Sequence, residues 1–81
     1  MRQLITTSNQ VGEILRSRRK ARSLPQKDLA AKLSISQERL SRLEADPGTL
    51  TLDRLIAVVN LLGLELVIRD KPKALSTDLE W

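Results

Sequence analysis

Nine basic residues between positions 16 and 42 are the side chains of this chain best suited to bind a polyanion. Only two acids, Asp28 and Glu38, lie in the same stretch, so its net charge is +7. Residues 1–15 sum to zero, and residues 43–81 carry four bases against seven acids. Such segregation of charge indicates one surface for a polyanion and a different surface for another partner.

The composition lacks several residue types that commonly act in catalysis. The chain contains no histidine, cysteine or tyrosine, and it has no Gly-rich phosphate loop or cluster of carboxylates. Thiol and imidazole mechanisms and Cys/His metal sites are therefore excluded. We predict a protein that is not an enzyme and that uses no cofactor, metal or small-molecule substrate.

The chain reads as one small aliphatic domain. It has 81 residues, with 16 Leu, 5 Ile, 4 Val and a single aromatic residue, Trp81. No apolar run approaches the roughly 20 residues that span a bilayer, and the N-terminus lacks the apolar region of a signal peptide. We therefore expect a cytoplasmic protein without a membrane partner. A monomer of this size buries little surface, which favours a dimer.

Apolar spacing and capping residues predict a mainly all-α fold with four helices. They are expected at about 8–22, 26–33 and 37–45, and from the cap at Thr51 to Gly63. The predicted inner side of the fourth helix comprises Leu52, Leu55, Ile56, Val59 and Leu62.

One C-terminal β-strand is predicted over Leu64–Asp70, where Leu64, Leu66 and Ile68 alternate with Glu65, Val67 and Arg69. A lone strand leaves its backbone groups unpaired. We expect it to pair with the same strand of a second copy in a homodimer; a hairpin with residues 2–6 is the alternative. The domain then covers residues 1–70, and residues 71–81 form a flexible tail.

Helices 2 and 3 are short and joined by a tight turn, as in a helix-turn-helix unit. Helix 3 is expected to expose polar side chains that can read base edges, since Gln can pair with adenine and Arg with guanine. Gln26 and Lys27 begin helix 2, where a phosphate is favoured, and the basic run 16–22 adds phosphate-binding capacity. A merely solvated charged surface is the alternative. The candidates on helix 3 are Gln37, Glu38, Ser41 and Arg42, with Arg39 on the flank.

Two charged residues fall on the inner sides of their helices. Arg19 follows Leu15 by four positions, and Glu44 follows Leu40 by four positions. A charge that faces a core needs a partner, and these two have opposite signs. We predict a structural ion pair that ties helix 1 to helix 3; two separate solvated charges are the alternative.

Two segments then resemble a known family. They are Leu24-Pro25-Gln26-Lys27-Asp28-Leu29-Ala30 and Ser36-Gln37-Glu38-Arg39-Leu40-Ser41-Arg42-Leu43-Glu44, and they are similar to the Xre/Cro-type helix-turn-helix of phage repressors over about residues 10–62. The resemblance implies DNA contacts at Gln26 and Gln37 and an ion pair between Arg19 and Glu44. The chain departs from the family pattern at Pro25, where a capping residue is common, and at Ser34, where Gly is common.

The strand and the ending Leu79-Glu80-Trp81 extend the resemblance to the HipB antitoxins. These are dimeric operator-binding repressors that pair with HipA, a serine/threonine kinase toxin. The resemblance implies base reading by Ser36, Gln37, Glu38, Arg39 and Ser41, autoregulation of the operon, and a location on the bacterial nucleoid. The tail residues Leu79 and Trp81 are then candidates for toxin binding. A plain Xre/Cro-type repressor without a toxin, or a module that binds only proteins, is the alternative.

Overall fold

The computed structural model describes residues 2–72. Their order is α1 (Ser8–Ala21), α2 (Gln26–Lys32), α3 (Gln37–Ala45), a 3₁₀ helix (Pro47–Thr49) and α4 (Leu52–Leu61). The four predicted helices are therefore present, each with bounds within two residues of the sequence-based expectation. α3 packs against both α1 and α2, and the 3₁₀ helix contacts both α1 and α3.

Side-chain caps explain where the helices begin. The Ser36 hydroxyl accepts a hydrogen bond from the Arg39 backbone N–H at 3.1 Å, and the Thr51 hydroxyl accepts one from Arg54 at 3.1 Å. At the start of α1, the Gln10 side-chain oxygen accepts from the Thr7 N–H at 3.1 Å. Each bond satisfies a donor that the helix itself cannot, so local sequence determines these three starts.

Three helices end in the same way, with one residue in the left-handed region. These residues are Ser23 (φ 52°), Ser34 (φ 58°) and Gly63 (φ 70°). In each case the following N–H bonds a carbonyl five residues back, as Leu64 does to Val59 at 2.9 Å. This is the Schellman arrangement. Ser34, where the family often has Gly, is thus left-handed, and Ser23 adopts the same conformation.

The core is aliphatic and is drawn from all four α-helices. It is formed by Leu15, Leu29, Ala30, Leu40, Val58, Val59 and Leu62. The inner side of α4 differs from the prediction, because Leu52 is 65% exposed and Ile56 41% exposed, whereas Val58 is buried. Seven of the ten residues of α4 are apolar, more than the core-facing side needs, so periodicity alone does not select which of them face the core.

The strand predicted for Leu64–Asp70 is not formed in the single chain. Leu64 packs against the core, but residues 64–72 have no regular secondary structure, and neither do residues 2–5. The alternative hairpin with residues 2–6 is therefore absent from the described part of the chain. The reason is physical: a strand is stabilised by its ladder of hydrogen bonds, and the described residues offer no partner.

A close approach between α1 and α3 depends on Gly12. A Cβ at this position would collide with the Glu44 carbonyl oxygen and would lie 3.0 Å from the Pro47 Cγ atom. Gly12 is buried in the middle of α1, where glycine is otherwise unfavourable.

Within residues 2–72, no helix has the length and apolar character needed to cross a membrane.

Candidate nucleic-acid interface

α3 presents an exposed polar side and buries an apolar one. Leu40, Leu43 and Glu44 are the buried residues of this helix. The predicted base-reading side chains are all exposed, namely Gln37, Glu38, Arg39, Ser41 and Arg42. These side chains therefore project from a helix that is anchored in the core by its buried side.

Ser36 has a local structural role in addition to its predicted contact with DNA. Its hydroxyl oxygen accepts the Arg39 N–H and so caps α3. The hydroxyl proton is not used by that bond, and a hydroxyl can donate and accept at the same time. Ser36 can therefore cap the helix while donating to an acceptor outside it.

The ion pair between α1 and α3 is buried and bidentate. Arg19 Nε donates to Glu44 Oε2 at 2.7 Å, and Arg19 Nη2 donates to Glu44 Oε1 at 3.1 Å. The two residues are only 7% and 5% exposed. Arg19 Nη1 also donates to the Leu24 carbonyl at 3.0 Å. Every polar side-chain atom that is buried in the described residues has a hydrogen-bond partner, which is the condition for a tolerable buried charge.

Gln26 joins this network from the start of α2. Its Nε2 donates to Glu44 Oε1 at 3.0 Å, and the residue is half-buried. Its neighbour Lys27 is exposed. The second amide proton of Gln26 is not required by Glu44, so one N–H remains to donate to a phosphate. Glu44 thereby connects α3, which we call the recognition helix, with the start of α2 and with α1.

Arg16 lies at the edge of the same network. Its Nε is 3.9 Å from Glu44 Oε1, and its side chain is 47% exposed against 3% for Glu44. Arg19 binds the carboxylate at shorter distances, so Arg16 makes the weaker contact with Glu44. Gln26 donates a hydrogen bond to Glu44 Oε1 at 3.0 Å, whereas Arg16 approaches the same oxygen only as an ion pair at 3.9 Å.

Arg18 and Arg22 point away from this network. Arg18 Nε donates to the Leu62 carbonyl at 3.3 Å, and Arg22 Nη1 donates to the same oxygen at 3.1 Å. Three guanidinium groups of the basic run 16–22, those of Arg18, Arg19 and Arg22, make hydrogen bonds within the fold. Arg16, Lys20 and Arg22 are exposed, and the phosphate-binding capacity of the run stays a prediction.

Sequence reasoning missed several of these contacts. No pattern singled out the bond from Gln26 to Glu44, or the carbonyl at Leu62 as a target for arginine. Gly12 carried a signal, since a glycine inside a helical pattern often marks a close approach. The predicted toxin-binding residues Leu79 and Trp81 lie outside the described residues.

The comparison with protein families agrees with this arrangement. A helix-turn-helix family model matches residues 15–68, about two thirds of the chain, and includes α2, α3 and the ion pair. Among curated proteins, none matches the chain significantly. The chain belongs to the Xre/Cro-type helix-turn-helix family, and such a domain indicates a sequence-specific DNA-binding regulator.

Proposed function

We propose that the protein is a homodimeric repressor that binds its own operator and acts as the antitoxin of a HipA-like serine/threonine kinase. The observation that carries the DNA-binding part is the exposed polar side of α3 on a helix held rigidly by buried Leu40, Leu43 and Glu44. Operator reading, dimerisation and toxin binding are supported by separate features.

Operator reading is supported by the side chains around the start of α3. Gln37 and Arg42 are suited to adenine and guanine edges in the major groove, and Ser41 can serve either base. Lys27 and the remaining amide proton of Gln26 are suited to phosphates. Arg39 lies on the flank, and Glu38 can accept a hydrogen bond from cytosine N4 but repels phosphate.

Dimerisation is supported by the exposed segment after α4. Leu64 packs on the core, but the next two residues of its predicted face are uncovered, with Leu66 46% exposed and Ile68 95% exposed. An uncovered apolar alternation with unpaired backbone favours strand addition. The same segment of a second copy supplies a matching partner about a two-fold axis.

The antitoxin role is supported by the resemblance of the strand segment and of the ending Leu79-Glu80-Trp81 to HipB antitoxins. Tryptophan is a frequent anchor in protein interfaces. In the described part of the chain the core is aliphatic, so it needs no aromatic residue. We therefore assign Leu79 and Trp81 to contacts with the kinase.

In the proposed mechanism, the dimer inserts two α3 helices into successive major grooves. The half-sites then lie about 34–36 Å apart, one turn of DNA, or a multiple of it. Occupation of the operator blocks transcription of the operon that encodes the repressor.

The DNA-binding part is tested by selecting operators from a random duplex pool and measuring affinity by mobility shift. Gln37→Ala should relax base preference at one position by about 1–3 kcal/mol, and Lys27→Ala should weaken all sequences alike and lower the salt slope by about one. Arg42→Ala separates a guanine contact from a phosphate contact in the same way. Equal binding of selected and random duplexes would instead favour a module that binds only proteins.

Dimerisation is tested by sedimentation with two matched variants. Ile68→Asp places a charge on the predicted pairing face, and Val67→Asp makes the same change on the opposite face. We expect Ile68→Asp to dissociate the dimer and Val67→Asp to leave most of it intact. Equal effects would contradict pairing through this face.

The antitoxin role is tested by co-expression with a HipA-like kinase encoded beside the repressor gene. The full chain should be retained by the purified kinase and should relieve its toxicity. A truncated chain lacking residues 72–81, or Trp81→Ala, should lose kinase binding but keep operator binding. Absence of any kinase interaction with the full chain would leave a plain repressor.

A further inference from the structure

Two arginines of α1 bind one backbone carbonyl at the end of α4. Arg18 Nε lies 3.3 Å and Arg22 Nη1 lies 3.1 Å from the Leu62 oxygen. Leu62 is the last residue before the left-handed turn, and it is 0% exposed. A helix C-terminus carries partial negative charge and unsatisfied carbonyls, so two guanidinium groups stabilise this end of α4.

Gly63 makes room for this contact. A Cβ on Gly63 would collide with Arg22 Nη1, and the φ of +70° is itself suited to glycine. The next residue, Leu64, donates its N–H to the Val59 carbonyl at 2.9 Å and packs against the core. The path of the chain over residues 62–64 is therefore determined by contacts with α1 and α4, immediately before the exposed segment begins.

We propose that Arg18 and Arg22 are positioning residues that set the direction in which residues 64–70 leave the helical body. The inference rests on the proposed function, because it requires this segment to pair with a second copy. α1 also binds α3 through Arg19 and Glu44. One helix thus links the recognition helix to the origin of the pairing segment, and so sets the separation of the two recognition helices.

Direct phosphate binding by the same arginines is the competing interpretation. Removing a phosphate contact lowers the salt slope of DNA binding by about one but does not alter the preferred spacing of half-sites. Removing a positioning contact leaves the salt slope of DNA binding unchanged and weakens discrimination between half-site spacings. The two roles are therefore separable by measurement on the same variants.

The experiment uses the full chain and a palindromic operator that the wild-type protein selects from a random duplex pool. Operators with one base pair inserted or removed at the centre provide the altered spacings. Arg18→Met and Arg22→Met are compared with Lys20→Met, which removes one charge from the same helix at an exposed site. We call the two bonds from Arg18 and Arg22 to the Leu62 carbonyl the arginine clamp. Each single variant keeps the other guanidinium bonded to that carbonyl, and thermal melting verifies that each variant is folded.

We expect Arg18→Met and Arg22→Met to reduce the affinity ratio between optimal and altered spacing by about tenfold, as for the loss of one charge-assisted hydrogen bond. Lys20→Met should leave that ratio unchanged. An unchanged ratio in both clamp variants overturns the inference, and a salt slope reduced by about one would then assign the arginines to phosphates.

The outcome is distinguishable from failure of the proposed function. If the wild-type protein itself selects no palindrome, then the proposed dimeric repressor is wrong, whatever the variants do. Amide hydrogen exchange of Leu64 in the free protein then tests the bonds from Arg18 and Arg22 without reference to DNA. Exchange about tenfold faster in Arg22→Met than in Lys20→Met supports the clamp, and equal exchange overturns it.

Discussion

The two sides of α1 carry arginines to two different kinds of acceptor. On one side Arg19 binds the buried carboxylate of Glu44, with Arg16 nearby. On the other side Arg18 and Arg22 bind the backbone oxygen of Leu62. A basic run is therefore not one surface, because helical geometry separates neighbouring guanidinium groups into an ion pair, a helix cap and a solvated remainder.

The two sides also differ in what their loss would leave behind. Without Arg19, a carboxylate stays buried with much of its charge uncompensated, which is among the costly events in a core. Without Arg22, a carbonyl keeps Arg18 as a partner, and the site is only partly buried. The side with Arg19 should therefore dominate stability. The side with Arg18 and Arg22 should act mainly on the direction in which residues 64–70 leave the helical body.

The largest effect is expected at the ion pair. Arg19→Met should lower the free energy of unfolding by about 3–5 kcal/mol, because Glu44 is left buried without its main partner. Urea denaturation measures this loss. Arg19→Met combined with Glu44→Leu should recover most of it, since no charge is then stranded. If Arg19→Met alone is as stable as the wild type, the expected difference between the two sides of α1 is contradicted.

A smaller effect is expected where α4 meets the arginines. Gly63→Ala should cost about 1–2 kcal/mol for the left-handed backbone, and more if Arg22 is displaced. In an Arg22→Met background only the backbone cost should remain. A double-mutant cycle by urea denaturation gives the coupling directly, expected at about 0.5–3 kcal/mol for residues in contact. Strictly additive losses would show that the two residues do not interact.

Gln26 tests how far the ion-pair side extends. Gln26→Ala should cost about 1 kcal/mol, because a hydrogen bond to Glu44 is lost at a half-buried site. Lys27→Ala is the matched neighbour, and at an exposed position it should stay within about 0.5 kcal/mol of wild type. Thermal melts of the two variants measure the difference. Equal melting temperatures would remove Gln26 from the network.

The smallest effect is expected at the end of α1 that both sides share. Ser23→Gly should raise stability by up to about 1 kcal/mol, because glycine relieves the left-handed backbone. Ser17→Gly, the same change inside the helix, should lower stability by about 0.5 kcal/mol. The opposite signs are checked by chemical denaturation. A loss at Ser23 would indicate that its side chain contributes more than its backbone strain costs.

Much of the fold was readable locally. Ser36 and Thr51 predicted the starts of α3 and α4 because a capping hydroxyl acts within three residues. The bounds of α3 follow, and so does its exposed polar side. The inner side of α4 was predicted wrongly at Leu52 and Ile56, because residue type alone does not distinguish them from the buried Val58 and only tertiary packing does. The predicted strand depends on a partner, which residues 2–72 of a single chain do not supply.

Residue type and short spacing suffice to predict the helices, the polar side of α3 and the opposite signs of Arg19 and Glu44. The roles of Arg16, Arg18 and Arg22 were decided only by the tertiary structure. They differ in what lies within about 4 Å of each guanidinium: a neutralised carboxylate for Arg16 and the end of α4 for the other two. Those neighbours come from residues 28 to 44 positions away in the chain, a separation over which no local pattern carries information.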